Sequence, residues 1–296
     1  MSVEPSELVA ERRKLVDLAY RLLGSLADAE DAVSETYLRW YGLTEEQRDA
    51  VQSPIAWLMK STGRVCLDML GSARARREHY TGQWLPEPLP DTRRWHSNAS
   101  AHPDPADSVT LDESVGMALL LILESMTPAE RVAFVLHDVF QYPFTEISAI
   151  LGRSAGACRQ LAFSARRRVE ADRPLSASTA ERSALTTSFK HAWQTRDLRV
   201  LMTLFNPDIT AITDGGGKVT AAAEPIYGRE AVALFFIDVF QRQPDLRLEK
   251  TSVNGQPGLV AYAEGRVLAV ISFGVIDGLI HHIWVMRNPD KLKLWE

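Results

Sequence analysis

Apolar residues recur at helical spacing through the first quarter of the chain. In "ELVAERRKLVDLAYRLLGS", Leu8, Leu15, Leu18, Ala19 and Leu22 share one face, and Gly24 marks the end. "LADAEDAVSETYLRWY" predicts a second helix with Asp28 as its N-cap and Val33, Tyr37 and Trp40 as its apolar stripe. A third begins at "SPIAWLMKSTGRVCLDML": Ser53 caps, Pro54 suits the first turn, and Ile55, Leu58, Thr62, Val65 and Met69 form the buried stripe. It runs on into the basic stretch "GSARARREHY".

Periodicity stops from Thr81 to about Ser108, a joint rich in Pro, Ser and Asp. This joint nevertheless carries "WLPEPLP", Trp and Leu on a proline-stiffened frame. Helices resume at Val109. A capping box opens "TPAERVAFVLHDVF", with Thr127 at the cap, Pro128 first and Glu130 third inside. "PFTEISAILG", a turn at Gly152–Arg153 and "SAGACRQLAFSARRRVE" then make a helix-turn-helix pattern. Burying Cys158, Leu161, Ala165 and Val169 leaves Arg159, Gln160, Phe163 and Arg167 on the open face. An Arg-Gln pair near the start of such a helix suits bidentate readout of base edges. The closing Arg166, Arg167 and Arg168 suit phosphates.

A polar joint, "ADRPLSASTAER", precedes a segment of different character. Helix "ALTTSFKHAWQTRDLRVLMTLF" leads to a strand pair around a Gly-rich turn, "DITAITDGGGKVTAAAEPIYG", and then to helix "REAVALFFIDVFQ". Four strands follow, separated by "NGQP" and "DG" turn signals. Helices followed by a run of antiparallel strands predict an α+β domain. The division read from the sequence is 1–80, 81–108, 109–172 and 173–296.

The chain has 296 residues, 46% of them hydrophobic, which suffices for sizeable cores in more than one domain. With a formal net charge of −5, any nucleic-acid contact must come from local basic patches. Cys66 and Cys158 lie far apart with no second ligand at metal spacing, so core positions are expected, with no metal and no cofactor. "MSVEPSELVAERRK" lacks a signal peptide's apolar middle and no run spans a bilayer, so a cytoplasmic location with no membrane partner is expected.

"AYRLLGSLADAEDAVSETYLRWY", "IAWLMKSTGRVCLDMLGSARARREH" and "MTPAERVAFVLHDVFQYPFTEISAILGRSAGACRQLAFSARRRV" resemble regions two and four of an extracytoplasmic-function RNA polymerase sigma factor. The third segment resembles a SnoaL-like α+β cone. "WLPEP" at Trp84–Pro88, "DGGGK" at Asp214–Lys218 and "NPDKL" at Asn288–Leu292 are similar to motifs of the subgroup with such a fused domain. The resemblance implies two all-α sigma domains and a C-terminal domain that controls them in cis. It also implies core RNA polymerase, through its clamp helices and flap, and promoter DNA as partners.

Residue by residue, it places polymerase contact on Asp28, Glu30, Asp31, Glu35 and Arg39, a face that as a bare pattern reads as a solvated helix surface. It places region-two DNA contact on Trp57, Lys60, Arg64, Arg74, Arg76 and Arg77. Trp57 reads equally as half-buried packing. In region four, Ser154 joins Arg159, Gln160, Phe163, Arg166, Arg167 and Arg168. The regulatory set is Trp84, Leu85, Pro86, Glu87 and Pro88; Asp214, Gly215, Gly216, Gly217 and Lys218; and Asn288, Pro289, Asp290, Lys291 and Leu292. On the physical reading Trp84 and Leu85 dock on another domain, Asp214–Lys218 forms a rigid turn facing region two, and Asn288–Leu292 is a tail latch.

Cyclases of the SnoaL-like kind use a cavity Asp or His. Here His281 and His282 alternate across a strand, and Asp214 beside its Gly-rich turn is expected at a rim. "DGGGK" has no helix N-terminus to hold a phosphate. The reading is therefore a sigma factor with no catalytic residues, whose cone has a small apolar ligand as an expected occupant. A DNA-tethered cyclase or isomerase and a one-component repressor are the rivals. Region two disfavours both.

Overall fold

The structure, a computed structural model, describes residues 5–78, 80–90, 116–172 and 177–296, with no side-chain description for 5–10, 73–78 and 172. The expected helix start at Val109 and most of the joint lie outside the described residues, as do the side chains of Arg74, Arg76 and Arg77. The chain forms two compact units. One holds residues 5–78 and 122–172; the other holds 80–90, 116–121 and 177–296.

In the first unit, α1 (Pro5–Leu23), α2 (Leu26–Tyr41), α3 (Glu45–Asp49) and α4 (Pro54–Glu78) come first. Leu15, Leu18, Leu22, Val33, Leu58 and Val65 are buried. Gly24 ends α1 at φ +70°, its N–H donating to the Tyr20 carbonyl at 2.7 Å. Ser25, rather than Asp28, caps α2: its hydroxyl accepts from the Asp28 N–H at 3.3 Å. Asp28 lies inside the first turn, where a carboxylate suits the helix dipole. The buried stripe of α2 is Leu26, Ala29, Ala32, Val33 and Thr36, with Tyr37 and Trp40 half-buried. Thr62 of α4 donates to Thr36 at 3.1 Å, satisfying both buried hydroxyls.

The α4 stripe also differs from expectation. Ile55 is exposed and Met69 half-buried, while Met59, Cys66 and Leu70 are buried. The cause is that α4 has neighbours on more than one side. Besides α1 and α2 it meets the later helices α6 (Pro128–Phe134) and α7 (Phe144–Leu151). A Cβ at Gly63 would stand 3.5 Å from Leu136 and 3.6 Å from Ile150.

α5 (Met117–Glu124) leads into α6, which continues as a π-helical turn, Val135–Val139. The capping box is formed: Thr127 Oγ1 accepts from the Glu130 N–H at 3.3 Å, and Glu130 Oε2 accepts from the Thr127 N–H at 3.0 Å. Buried Arg131 donates to the Leu22 carbonyl and to Glu124, both at 2.7 Å, which ties α6 to α1. Gly152 at φ +62° turns the chain from α7 into α8 (Ala155–Asp172). Cys158, Ala162 and Ala165 carry the buried face of α8, with Leu161 and Val169 half-buried.

The second unit holds α9 (Thr179–Thr195), α10 (Leu198–Leu204), β1 (Phe205–Asp214), β2 (Ile226–Tyr227), α11 (Arg229–Arg242), β3 (Arg247–Val253), β4 (Gln256–Ala263), β5 (Arg266–Ile276) and β6 (Leu279–Met286). Two short 3-10 turns, Pro289–Lys291 and Lys293–Trp295, close the chain. One expected helix is thus two. A Ser178–Glu181 capping box starts α9 early, and Asp197 accepts from the Val200 N–H at 3.0 Å to cap α10.

The strands order as β2-β1-β6-β5-β4-β3. All pairs are antiparallel except β1 with β6, so the sheet is mixed, a correction to the antiparallel run. Strands β1 and β2 pair at only two positions, and the Gly-rich stretch is a long loop between them rather than a hairpin turn. The sheet is apolar on both sides. Helices cover one face, where Phe189, Trp193, Phe205 and Phe236 cluster with Ala211, Ile283 and Val285. The alternate residues, among them Ile212, Trp284 and Met286, face a second cluster containing Leu85, Met117 and Leu292.

Candidate linker-docking site and nucleic-acid faces

The three short motifs of the sequence meet at the end of β1. The side chain of Asp214 is fully buried rather than at a rim. Its Oδ1 accepts from the Tyr80 hydroxyl at 2.5 Å and the Gly216 N–H at 3.0 Å. Its Oδ2 accepts from the Leu85 N–H at 2.9 Å and Lys291 Nζ at 2.8 Å. Four donors on one carboxylate compensate for its removal from water. Burial and the bond to Asp214 push the Tyr80 hydroxyl well above the ordinary tyrosine range.

Lys291 also donates to the Leu85 carbonyl at 2.6 Å and lies over the Trp84 and Tyr80 rings, 4.4 Å and 5.0 Å from their centroids. Asn288 caps the turn that presents Lys291, and its Nδ2 donates to the Tyr80 hydroxyl at 2.8 Å. Lys218 pairs with Asp290 at 2.5 Å across the surface. Leu85, Pro86, Glu87 and Pro88 are buried and Trp84 half-buried.

Two glycines of the loop have a steric reason to be there. Gly216 (φ +62°) lies so close to Asn288 that any Cβ would collide with its amide. A Cβ on Gly217 (φ +69°) would stand 2.9 Å from the Thr81 Cβ. The loop therefore faces Tyr80 and Thr81, the residues that leave α4.

Sequence reasoning missed Tyr80, Asn254 and Trp295. Asn254 extends the docking: its Oδ1 accepts from the Leu89 N–H at 3.1 Å and its N–H donates to the Leu89 carbonyl at 2.8 Å. Trp295 Nε1 donates to the Pro88 carbonyl at 2.9 Å. Nothing local in the sequence marked Trp295, and Tyr80 was hidden at the foot of the basic helix.

On α4, Lys60 and Arg64 are exposed, and Trp57 is half-buried with its ring 5.1 Å from Trp40. On α8, Arg159, Gln160, Phe163 and Arg167 are exposed together. The Arg159 guanidinium lies 5.5 Å from the Phe144 ring centroid, and Ser154 accepts from the Ala157 N–H at 3.2 Å as the helix cap. Two of the three closing arginines have partners inside this unit. Arg166 pairs with Asp138, and Arg168 donates to the Ser125 carbonyl at 3.1 Å and faces Glu130 at 3.6 Å.

On α2, Glu30, Asp31 and Arg39 are exposed, Asp28 and Glu35 partly so, and Glu35 accepts from Arg39 at 2.9 Å. Leu38 and Tyr41, which the sequence reading left aside, are 70% and 60% exposed on the same helix.

His282 is exposed and stacks on Trp284 at 5.6 Å; His281 is half-buried, and that burial lowers its pKa. Cys66 and Cys158 are buried and unpaired, and burial pushes the Cys66 thiol far up. Among the described residues no group of three His, Cys, Asp or Glu could hold a metal ion, and no helix is long and apolar enough to cross a membrane.

Two helical regions in this order, the second a helix-turn-helix, define a sigma-type transcription initiation factor. The Sigma-70 region 2 family matches residues 8–76 and the Sigma-70, region 4 family matches residues 116–169. The chain belongs to the extracytoplasmic-function (ECF) RNA polymerase sigma factors. It is 36% identical over 303 residues to ECF RNA polymerase sigma factor SigJ of Mycobacterium tuberculosis H37Rv, covering 98% of this chain and 93% of that protein. Against the probable ECF RNA polymerase sigma factor SigI of M. tuberculosis CDC 1551, identity is 34% over 286 residues, covering 96% and 92%. The crystal structure of M. tuberculosis SigJ superposes with a TM-score of 0.75 at 34% identity, covering 98% of both chains.

Proposed function

We propose that this chain joins core RNA polymerase in the cytoplasm, reads two promoter elements through α4 and α8, and is regulated in cis through the docking of residues 80–90. The bonds from Asp214 and Lys291 to Leu85 carry this reading. They fix, on the C-terminal sheet, the segment that directly follows region two. A joint held this way loses the freedom that two promoter-reading regions need in order to separate. Residues Asp28, Glu30, Asp31, Glu35 and Arg39, with Leu38 and Tyr41 beside them, supply the polymerase face.

A second observation bears on the resting state. Gly63 against Leu136 and Ile150, and Arg131 on the Leu22 carbonyl, hold regions two and four on one core. Engaging two separated promoter elements requires these contacts to break.

The domain acts as a regulator rather than an enzyme. Both oxygens of Asp214, the buried carboxylate at the motif junction, are committed to structural donors. The helix-covered interior is packed with rings: Phe189 lies 5.1 Å from Phe236 and 5.0 Å from Phe273, centroid to centroid.

Run-off transcription with purified core polymerase tests the proposal, comparing the full chain with one ending before Asn288 and one ending before Ser178. Transcription that depends on the chain and changes on truncation supports it. Dependence without any change on truncation removes the cis regulation.

A further inference from the structure

The Lys291 ammonium is held as an aromatic cage holds a cationic ligand. Two ring faces, Trp84 at 4.4 Å and Tyr80 at 5.0 Å, flank it. Two acceptors, Asp214 Oδ2 at 2.8 Å and the Leu85 carbonyl at 2.6 Å, accept hydrogen bonds from it. All four walls come from residues 80–85 and the end of β1, and none from the tail that delivers the lysine. The combination of ring faces and a buried carboxylate is the chemistry that recognises organic cations. Tyr80, Leu85 and Gly216 also donate to Asp214, but as neutral groups; Lys291 brings the positive charge.

We propose that Tyr80, Trp84, Leu85 and Asp214 form a binding site for a primary alkylammonium, which the chain fills with its own Lys291 and for which a free amine competes. The class follows from the contacts. Two of the three N–H bonds go to Asp214 and Leu85, so a quaternary ammonium would offer the rings a charge but donate to neither acceptor, leaving Asp214 Oδ2 with only the neutral Leu85 N–H. The alkyl stem of Lys291 approaches from the tail side, so the ligand needs a short unbranched chain. In the native chain the tail supplies ammonium at an effective concentration on the order of millimolar, which a competitor must exceed. That occupancy of the site alters transcription rests on the cis regulation proposed above; the binding site itself rests on the cage alone.

Replacing Lys291 by alanine removes n-propylammonium in outline, so that ion is the probe. Calorimetric titration of full-length Lys291→Ala with n-propylammonium chloride should show saturable binding, about 10-fold or more tighter than to the unaltered chain. The same titration should fail with tetramethylammonium and with n-propanol, and should weaken in Lys291→Ala combined with Trp84→Ala. No saturable binding, or equal responses to n-propanol, overturns the site. A second measurement needs no variant: n-propylammonium should displace the tail and speed proteolysis of residues 288–296 in the native chain, at an ionic strength where sodium does not. Equal rates in the two salts count against the proposal. Amine binding with run-off transcription unchanged supports the site and removes its regulatory role.

Discussion

Lys291 Nζ lies 2.8 Å from Oδ2 of Asp214, a residue 77 positions earlier, and the carboxylate has no solvent exposure. Removing one partner of a buried ion pair leaves the other charge uncompensated. Lys291→Met should therefore cost about 3 kcal/mol, the lower end for such pairs because three neutral donors still reach Asp214. The nearly isosteric Asp214→Asn should cost at least as much. Each carboxylate oxygen accepts two bonds, so the amide nitrogen must face two donors whichever way it is turned. Urea midpoints of the C-terminal transition would check both. A mild asparagine variant would show that neither the charge of Asp214 nor its four-bond acceptor geometry carries the stability of this junction.

Gly217 and Gly265 separate backbone strain from docking. Both have positive φ, +69° and +74°, so valine at either position pays the left-handed penalty of about 1–2 kcal/mol. Only at Gly217 does the new Cβ meet a neighbour, Thr81 at 2.9 Å; at Gly265 there is open space. Gly217→Val should release residues 80–90 to protease and cost the larger share of stability, while Gly265→Val leaves them protected and costs the backbone penalty alone. Equal protection in the two variants would mean that the loop does not hold the linker.

The chain's helices were legible because their signals are local: the Thr127–Glu130 box, Gly24 and Gly152 stand where the sequence pattern puts them. The misread points are those where a distant partner or a competing local bond decides. Ser25 outcompetes Asp28 as cap because its hydroxyl reaches the Asp28 N–H. Ile55 fails as a core residue while Met59 and Cys66 succeed, because α4 (ending at Glu78) also packs on α6 and α7, which begin only at Pro128 and Phe144. Parallel pairing of β1 with β6 leaves no mark in either strand's alternation. The exposed face of α8 could be read from helical spacing, but the pairs of Arg166 and Arg168 could not, since Asp138 and Glu130 lie on other elements. The three motifs could be marked as a set by resemblance. Their convergence on one carboxylate is a long-range contact, between residues 85, 214 and 291, that no local pattern encodes.

Glu130 makes the helix-turn-helix region sensitive to acid. Burial raises its pKa, but bonds from the Thr127 N–H and hydroxyl and from Ser164, with the Arg168 charge, outweigh it and bring the net value below the ordinary 4.5. A carboxyl whose folded-state pKa is depressed contributes stability above its unfolded pKa and loses it as pH falls through the folded value. The stability difference between the native chain and Glu130→Gln should therefore be constant near neutrality and shrink on acidification below 4.5. Urea midpoints across that range would test this, and a difference that grows with acid would contradict the assignment.

The arginines of α8 should divide into three behaviours. Arg159 is exposed near the helix start and lies over Phe144, and on the proposed function it is the arginine that would meet a base edge. Arg159→Ala should cost about 1–3 kcal/mol at one promoter position and relax the preference there. Arg167, exposed in the last third of the helix, suits a phosphate. Arg167→Ala should weaken all sequences alike and lower the salt slope of binding by about one. Arg166 is held by Asp138, itself partly buried, so Arg166→Ala should act first on the stability of the helix-turn-helix. Binding of variant holoenzymes to a promoter series at several salt concentrations distinguishes the three. If Arg159→Ala lost affinity uniformly, it too would be a phosphate contact, and base reading would fall to Gln160 and Phe163 on the same exposed face.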